Sequence, residues 1–230
     1  RYSASLNPPE GRASPELRSF PSPASLAGSG TSEGGVLASD VSKLTHKFED
    51  SKIPPPAGGG GGAALQQAVL SLDKMIEGGI YDQIGGGFAR YSTDTTWLAP
   101  HFEKMLYDNA LLIGVLSEAF QLTKKPRYKE VIEETMEFIK RDLTDKKGGF
   151  YAALDADSEG VEGKFYVWAL QEVTELLGKE AVIFCEYYDI TGRGNWEETN
   201  ILRVKKPLEI FAAEKKIDTA GLKNILDEGR

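Results

Sequence analysis

GGIYDQIGGGFARYSTDTTWLAPHFEKMLYDNALL, residues 78–112, is the stretch on which the fold turns. Its first twenty residues mix glycine turns with Ile80, Tyr81, Phe88 and Tyr91, the composition of a long loop with short extended pieces. Pro100 then stands where a first-turn proline belongs. Leu106, Leu112, Ile113, Leu116 and Phe120 recur at helical spacing, so a helix is predicted from Pro100 to about Gln121. On that helix His101, Lys104 and Asp108 fall on one stripe at i, i+3 and i+7, with Glu103 and Tyr107 paired at i, i+4 beside them. Arg90, Tyr91 and Asp94 lie immediately upstream.

Working outward, Leu65, Ala68, Val69, Leu72, Met75 and Ile76 form a helical stripe that stops at Gly78-Gly79. Downstream, Pro126 opens another helix, with Tyr128, Val131, Ile132, Thr135, Phe138, Ile139 and Leu143 on one face before Gly148-Gly149. The segment GGFYAALDADSEGVEGKFYVW (148–168) repeats the grammar of the first loop at an offset of 70 residues: glycine pair, aromatic residues, acidic stretch, glycine-aromatic step, new helix. Short helices follow at about 169–177, 179–188, 207–217 and 219–228. The pattern predicts an all-α chain of helical hairpins joined by structured glycine-rich loops.

The N-terminal quarter is different. Residues 1–40 hold 9 Ser, 5 Pro, 5 Gly and 5 Ala, a composition that cannot bury enough apolar surface to offset chain entropy. Val41, Leu44 and Phe48 mark one short amphipathic helix within 41–52, before Pro54–Pro56 and Gly58–Gly62 break regular structure. The expected organisation is a low-complexity lead over 1–62 and a folded domain over 63–230. The lead is neutral and the domain carries the whole net charge of −8, without the clustered Lys and Arg that nucleic acid requires. The single cysteine, Cys185, excludes an internal disulfide and reads as a small core residue. No run reaches the ~18–20 apolar residues of a membrane span. A cytoplasmic protein without metal or cofactor is expected.

Two clusters carry chemistry. His101, Glu103, Lys104, Asp108, Arg90, Asp94, Tyr91 and Trp97 combine proton-transfer groups, a guanidinium and aromatic faces, as a sugar or polyol site does. The same residues also fit a salt-bridge network that pins loop to helix. In the second loop Asp155, Asp157 and Glu162 could supply a carboxylate pair, or an acidic solvated turn. A calcium loop there would take Asp155, Asp157, Glu159 and Gly160 in order, but its twelfth position is Tyr166. Gly85–Gly87 lacks the Lys-Ser/Thr of a phosphate loop. Trp168 closes the second loop as a packing or pocket residue.

Taken in order, segments 78–112 and 148–168 resemble the YyaL-like family of thioredoxin-domain-containing proteins that includes spermatogenesis-associated protein 20. The resemblance covers about residues 63–205, and 41–52 in part. It implies an (α/α)6 toroid of the six-hairpin glycosidase type, similar to N-acylglucosamine and cellobiose 2-epimerases, preceded in the family by a thioredoxin-like domain. The matching motif positions are Asp82, Gly86, Arg90, Tyr91, Asp94, His101, Glu103, Lys104, Asp108, Asn109, Asp155, Asp157 and Ser158. The resulting expectation is a toroid incomplete in this chain, completed by a missing half-ring or partner chain, that acts on a carbohydrate as an epimerase or glycosidase does. His101, Glu103, Asp94, Asp155 and Asp157 are the expected catalytic groups. Arg90, Tyr91, Lys104, Asp108, Asn109, Trp97 and Trp168 are expected to bind substrate. The alternative is a non-catalytic glycan- or protein-binding helical module.

Overall fold

A computed structural model describes residues 61–230, so the short helix expected within 41–52 and the domain boundary at 62/63 rest outside, or at the edge of, the described residues. About half of the described residues are helical. The first helix, α1 (Gly61–Glu77), buries Leu72 and Ile76 on the stripe read from the sequence. It stops because Gly79 N–H turns away to donate to the Trp97 carbonyl at 2.7 Å. A Cβ on Gly79 would lie 2.0 Å from the Leu98 carbonyl oxygen, so only glycine admits this approach of two backbones.

The next helix departs from the predicted start. Residues 100–105 are extended: β1 (Tyr91–Ser92) pairs antiparallel with β2 (Pro100–His101), and β3 (Lys104–Met105) pairs with β4 (Ala153–Leu154) from the second loop. Pro100 therefore opens a strand pair, and α2 begins only at Leu106, running to Thr123. Tertiary pairing has overridden the local helical spacing. α3 (Pro126–Asp142) does start at its proline, and it packs on α2 as a hairpin whose link is Lys124 in the left-handed region and Lys125.

The second loop folds as a tight hairpin. β5 (Asp157–Ser158) pairs with β6 (Val161–Glu162) around Glu159 and Gly160, both at positive φ, the geometry of a two-residue hairpin turn. The loop then closes through β7 (Val167–Trp168), which pairs with β8 (Asn200–Ile201) from the C-terminal part. The remaining helices are α4 (Leu170–Leu177), α5 (Ala181–Tyr187) after a single 3-10 turn, α6 (Leu208–Lys215) and α7 (Thr219–Gly229).

The apolar residues form two main cores. One joins α1, α2, α3 and the first loop through Leu72, Ile76, Tyr81, Phe88, Leu116 and Val131. The other joins α4–α7 with the β7–β8 ladder through Trp168, Phe184, Tyr188, Phe211, Leu222 and Leu226, and Cys185 packs within it. Phe102, Ala156 and Ile201 bridge the two loops in a smaller cluster. No helix among the described residues is long and apolar enough to cross a membrane.

Candidate functional site

Residues 100–105 alternate strictly, with Pro100, Phe102 and Lys104 buried and His101, Glu103 and Met105 partly exposed. That is the period of an extended chain, whose successive side chains point to opposite faces. It sorts one run of charged residues into two environments.

The inward environment is built around Lys104, which is 2% exposed. Its Nζ donates to Asp82 Oδ2 at 2.8 Å and to the Gly86 carbonyl at 2.9 Å, and lies over the rings of Phe138 (4.4 Å) and Tyr166 (5.0 Å). Burial lowers the Lys104 pKa, and the Asp82 carboxylate opposes that shift. Asp82 also accepts from the Ile84 and Gly85 N–H groups, so one carboxylate ties the glycine turn to the lysine. A cavity of about 30 Å³, lined in part by Asp82, Lys104, Tyr166 and Trp168, leaves room for about one water. Asn109, fully buried, exchanges hydrogen bonds with the Phe88 backbone (2.7 and 3.0 Å) and donates to the Met105 carbonyl at 2.9 Å.

Asp94 is committed to its own loop. Its oxygens accept from Thr96 N–H (2.6 Å), Thr96 Oγ1 (2.7 Å), Leu98 N–H (3.3 Å) and Ala99 N–H (2.6 Å). Burial tends to raise its pKa, but these bonds win and hold it below the usual aspartate value. The loop it holds carries Trp97 at φ 61°, packed against the first core. Trp168 is buried in the second core.

The outward environment gathers residues that are far apart in sequence. His101 Nδ1 lies 2.9 Å from Glu162 Oε1, on the β5–β6 hairpin 61 residues away, and Nε2 lies 3.6 Å from Glu103 Oε2. Arg90 Nη1 donates to Glu103 at 3.3 Å and Nη2 to the Tyr107 hydroxyl at 2.9 Å. The Tyr91 ring packs against the His101 ring, tilted by 31° with centroids 5.3 Å apart, and is half exposed. Asp108, in the first turn of α2, feels both Arg90 and Glu103. The arrangement sets an imidazole between two carboxylates, with a guanidinium and two exposed tyrosines beside it. Nδ1 faces Glu162 and Nε2 faces Glu103, so both ring nitrogens meet a carboxylate.

Of the residues expected to act, His101, Glu103, Arg90, Tyr91 and Asp108 come together on this face. Lys104, Asn109 and Trp168 lie in the interior, and Asp94 pins a loop. Asp155 accepts from the Asp157 N–H at 3.1 Å, and Asp157 pairs across the hairpin with Glu162. Glu162 is thus the second-loop carboxylate that reaches His101. The sequence marks Glu162 only as one acid of the second loop and Tyr107 only as the i, i+4 partner of Glu103; their meeting with His101 and Arg90 is set by the pairing of distant strands. Among the described residues no group of three or more His, Cys, Asp or Glu is placed to hold a metal ion. A cleft of about 600 Å³ lies elsewhere, between the α1 and α3 ends and α5–α7, where Lys125, Arg127, Lys223 and Arg230 are already ion-paired.

No family model matches the chain. Human spermatogenesis-associated protein 20 is 36% identical over 190 residues, covering 71% of this chain and 24% of the relative. The mouse protein of the same name is 35% identical over the same length, and an uncharacterised protein of Caenorhabditis elegans is 36% identical over 186 residues, 70% of this chain and 25% of that one. The chain therefore spans about a quarter of the length of the curated relatives it matches. Sequence identity and the motif resemblance of the two loops agree, and the chain belongs to the spermatogenesis-associated protein 20 family.

Proposed function

We propose that residues 63–230 form part of an (α/α)6 toroid and that the face bearing His101 handles a carbohydrate by acid–base chemistry. The observation that carries this reading is the meeting of His101 and Glu103 with Glu162 from a loop 61 residues away, beside Arg90 and two exposed tyrosines. Carboxylates and imidazole move protons, the guanidinium fixes a hydroxyl or developing oxyanion, and the tyrosines present flat faces to a pyranose. The α2–α3 hairpin and the repeated loop grammar support the toroid, in which loops of this kind meet at one mouth. His101 serves as general acid/base, oriented by Glu162 and Glu103, and Asp155 and Asp157 border the ligand from the second loop. The reaction is epimerisation or glycoside hydrolysis.

The exposure of Phe150, Tyr151, Tyr107 and Leu111 favours a second reading, a binding module without turnover. Incubation with a panel of aldoses in deuterated solvent separates the two. An epimerase incorporates solvent deuterium at the sugar's α-carbon, and His101→Ala abolishes incorporation. A binding module shows sugar-dependent thermal stabilisation without incorporation or hydrolysis. Absence of binding, exchange and hydrolysis would refute the carbohydrate reading.

A further inference from the structure

Asp108 stands apart from the other carboxylates of this face. Glu103 is held by Arg90 and faces His101, and Glu162 is held by His101. Asp108 Oδ2 is shut off from solvent and has no hydrogen-bond partner. Arg90, whose charge acts on it, has its two terminal nitrogens committed to Glu103 and to the Tyr107 hydroxyl. A buried oxygen without a donor is a costly place for a full negative charge, and a carboxyl so placed escapes the cost by keeping its proton.

We infer that Asp108 is the proton-holding carboxylic acid of the site, set against Glu103 as the ion-paired carboxylate. Burial and two charged groups act on it. Burial pushes its pKa up, Arg90 from the loop before β1 pulls it down, and Glu103 from the turn between β2 and β3 pushes it up again. The α2 N-terminus, where Asp108 sits in the first turn, favours its ionised form and limits the rise. Two carboxyls whose surroundings push them apart supply an acid and a base in one site. The inference rests on the acid–base reading above. With Oδ2 as the sealed carbonyl oxygen, the transferable proton is the one on Oδ1, which Asp108 would give to a substrate oxygen, leaving a carboxylate that Arg90 stabilises. The His101–Glu103 pair would take one from substrate carbon or from water, so the proton count of the site is unchanged.

The test is a ¹³C-carboxyl NMR titration of the uniformly labelled chain, with thermal melts of Asp108→Asn and the unaltered chain from below the ordinary aspartate value up to neutral pH. The expected midpoint of Asp108 lies above the ordinary aspartate value of about 3.9. Because a raised folded pKa means the ionised form strains the fold, the amide variant should melt higher at pH 7. That gain should vanish as the pH falls below the ordinary value. A midpoint at or below about 3.9 would overturn the inference, as would a variant that melts lower at neutral pH. If Asp108→Asn fails to fold, the titration of the unaltered chain decides alone. Sugar binding is read separately, so a raised midpoint without binding refutes the carbohydrate reading and leaves the proton assignment standing.

Discussion

Lys104 and Glu103 are adjacent in the chain and occupy opposite worlds. Lys104 points inward to Asp82 and the Gly86 carbonyl under two aromatic rings, while Glu103 points outward to Arg90 and His101. The first environment is closed over a lysine whose ammonium is hydrogen-bonded and ion-paired. The second is open, and its groups retain exposed faces. A charged residue thus signals function only once the backbone has decided which side it faces, and here a six-residue extended segment makes that decision.

The difference can be broken most sharply at Lys104. Replacement by Met would take away the buried ammonium that pairs with Asp82 and the Gly86 carbonyl, a loss of about 3–5 kcal/mol in urea denaturation. If Lys104→Met cost under about 1 kcal/mol, the inward environment would not have the structural role assigned to it. Asn109→Ala should follow at about 2–3 kcal/mol, since it strands the Phe88 N–H and carbonyl inside the core. Hydrogen exchange at Phe88 should accelerate in that variant.

These two residues also show what the sequence can and cannot carry. The stripes of α1 and α3 were legible because each pairs a 3.6-residue apolar period with a clear terminus, the glycine pair after Ile76 and the proline at 126. The stretch 100–105 was misread as helix because Pro100 and the i, i+3, i+7 spacing of His101, Lys104 and Asp108 satisfy a helical rule. Its actual period of two is imposed by β1 and β4. Placing Lys104 and His101 on one stripe followed from that error. Glu162 was visible as an acid in the second loop, but its approach to His101 depends on a fold-level pairing that no local window contains.

A smaller effect is expected at Asp94. Asp94→Ala removes the acceptor for three backbone N–H groups and one hydroxyl and should cost about 1–2 kcal/mol at neutral pH. Because the folded pKa lies below the ordinary one, the carboxylate's contribution is full above the ordinary aspartate value and is lost as the pH falls through the folded value. The stability gap between wild type and Asp94→Ala should therefore close in acid. Glu103→Gln should change stability least, by under about 1 kcal/mol, since its ion pair with Arg90 is partly exposed. Its effect should appear in sugar binding or turnover, so a fall in both at unchanged melting temperature would sharpen the contrast with Lys104.

The most direct test of the central claim is a backbone amide NMR titration of the chain with a panel of neutral hexoses. The outward cluster as ligand face predicts saturable shifts at Tyr91, His101, Glu103, Tyr107 and Glu162, with Asn109 and the turn around Gly86 unmoved. Shifts confined to the cleft between α3 and α7, or none at saturating sugar, would contradict it.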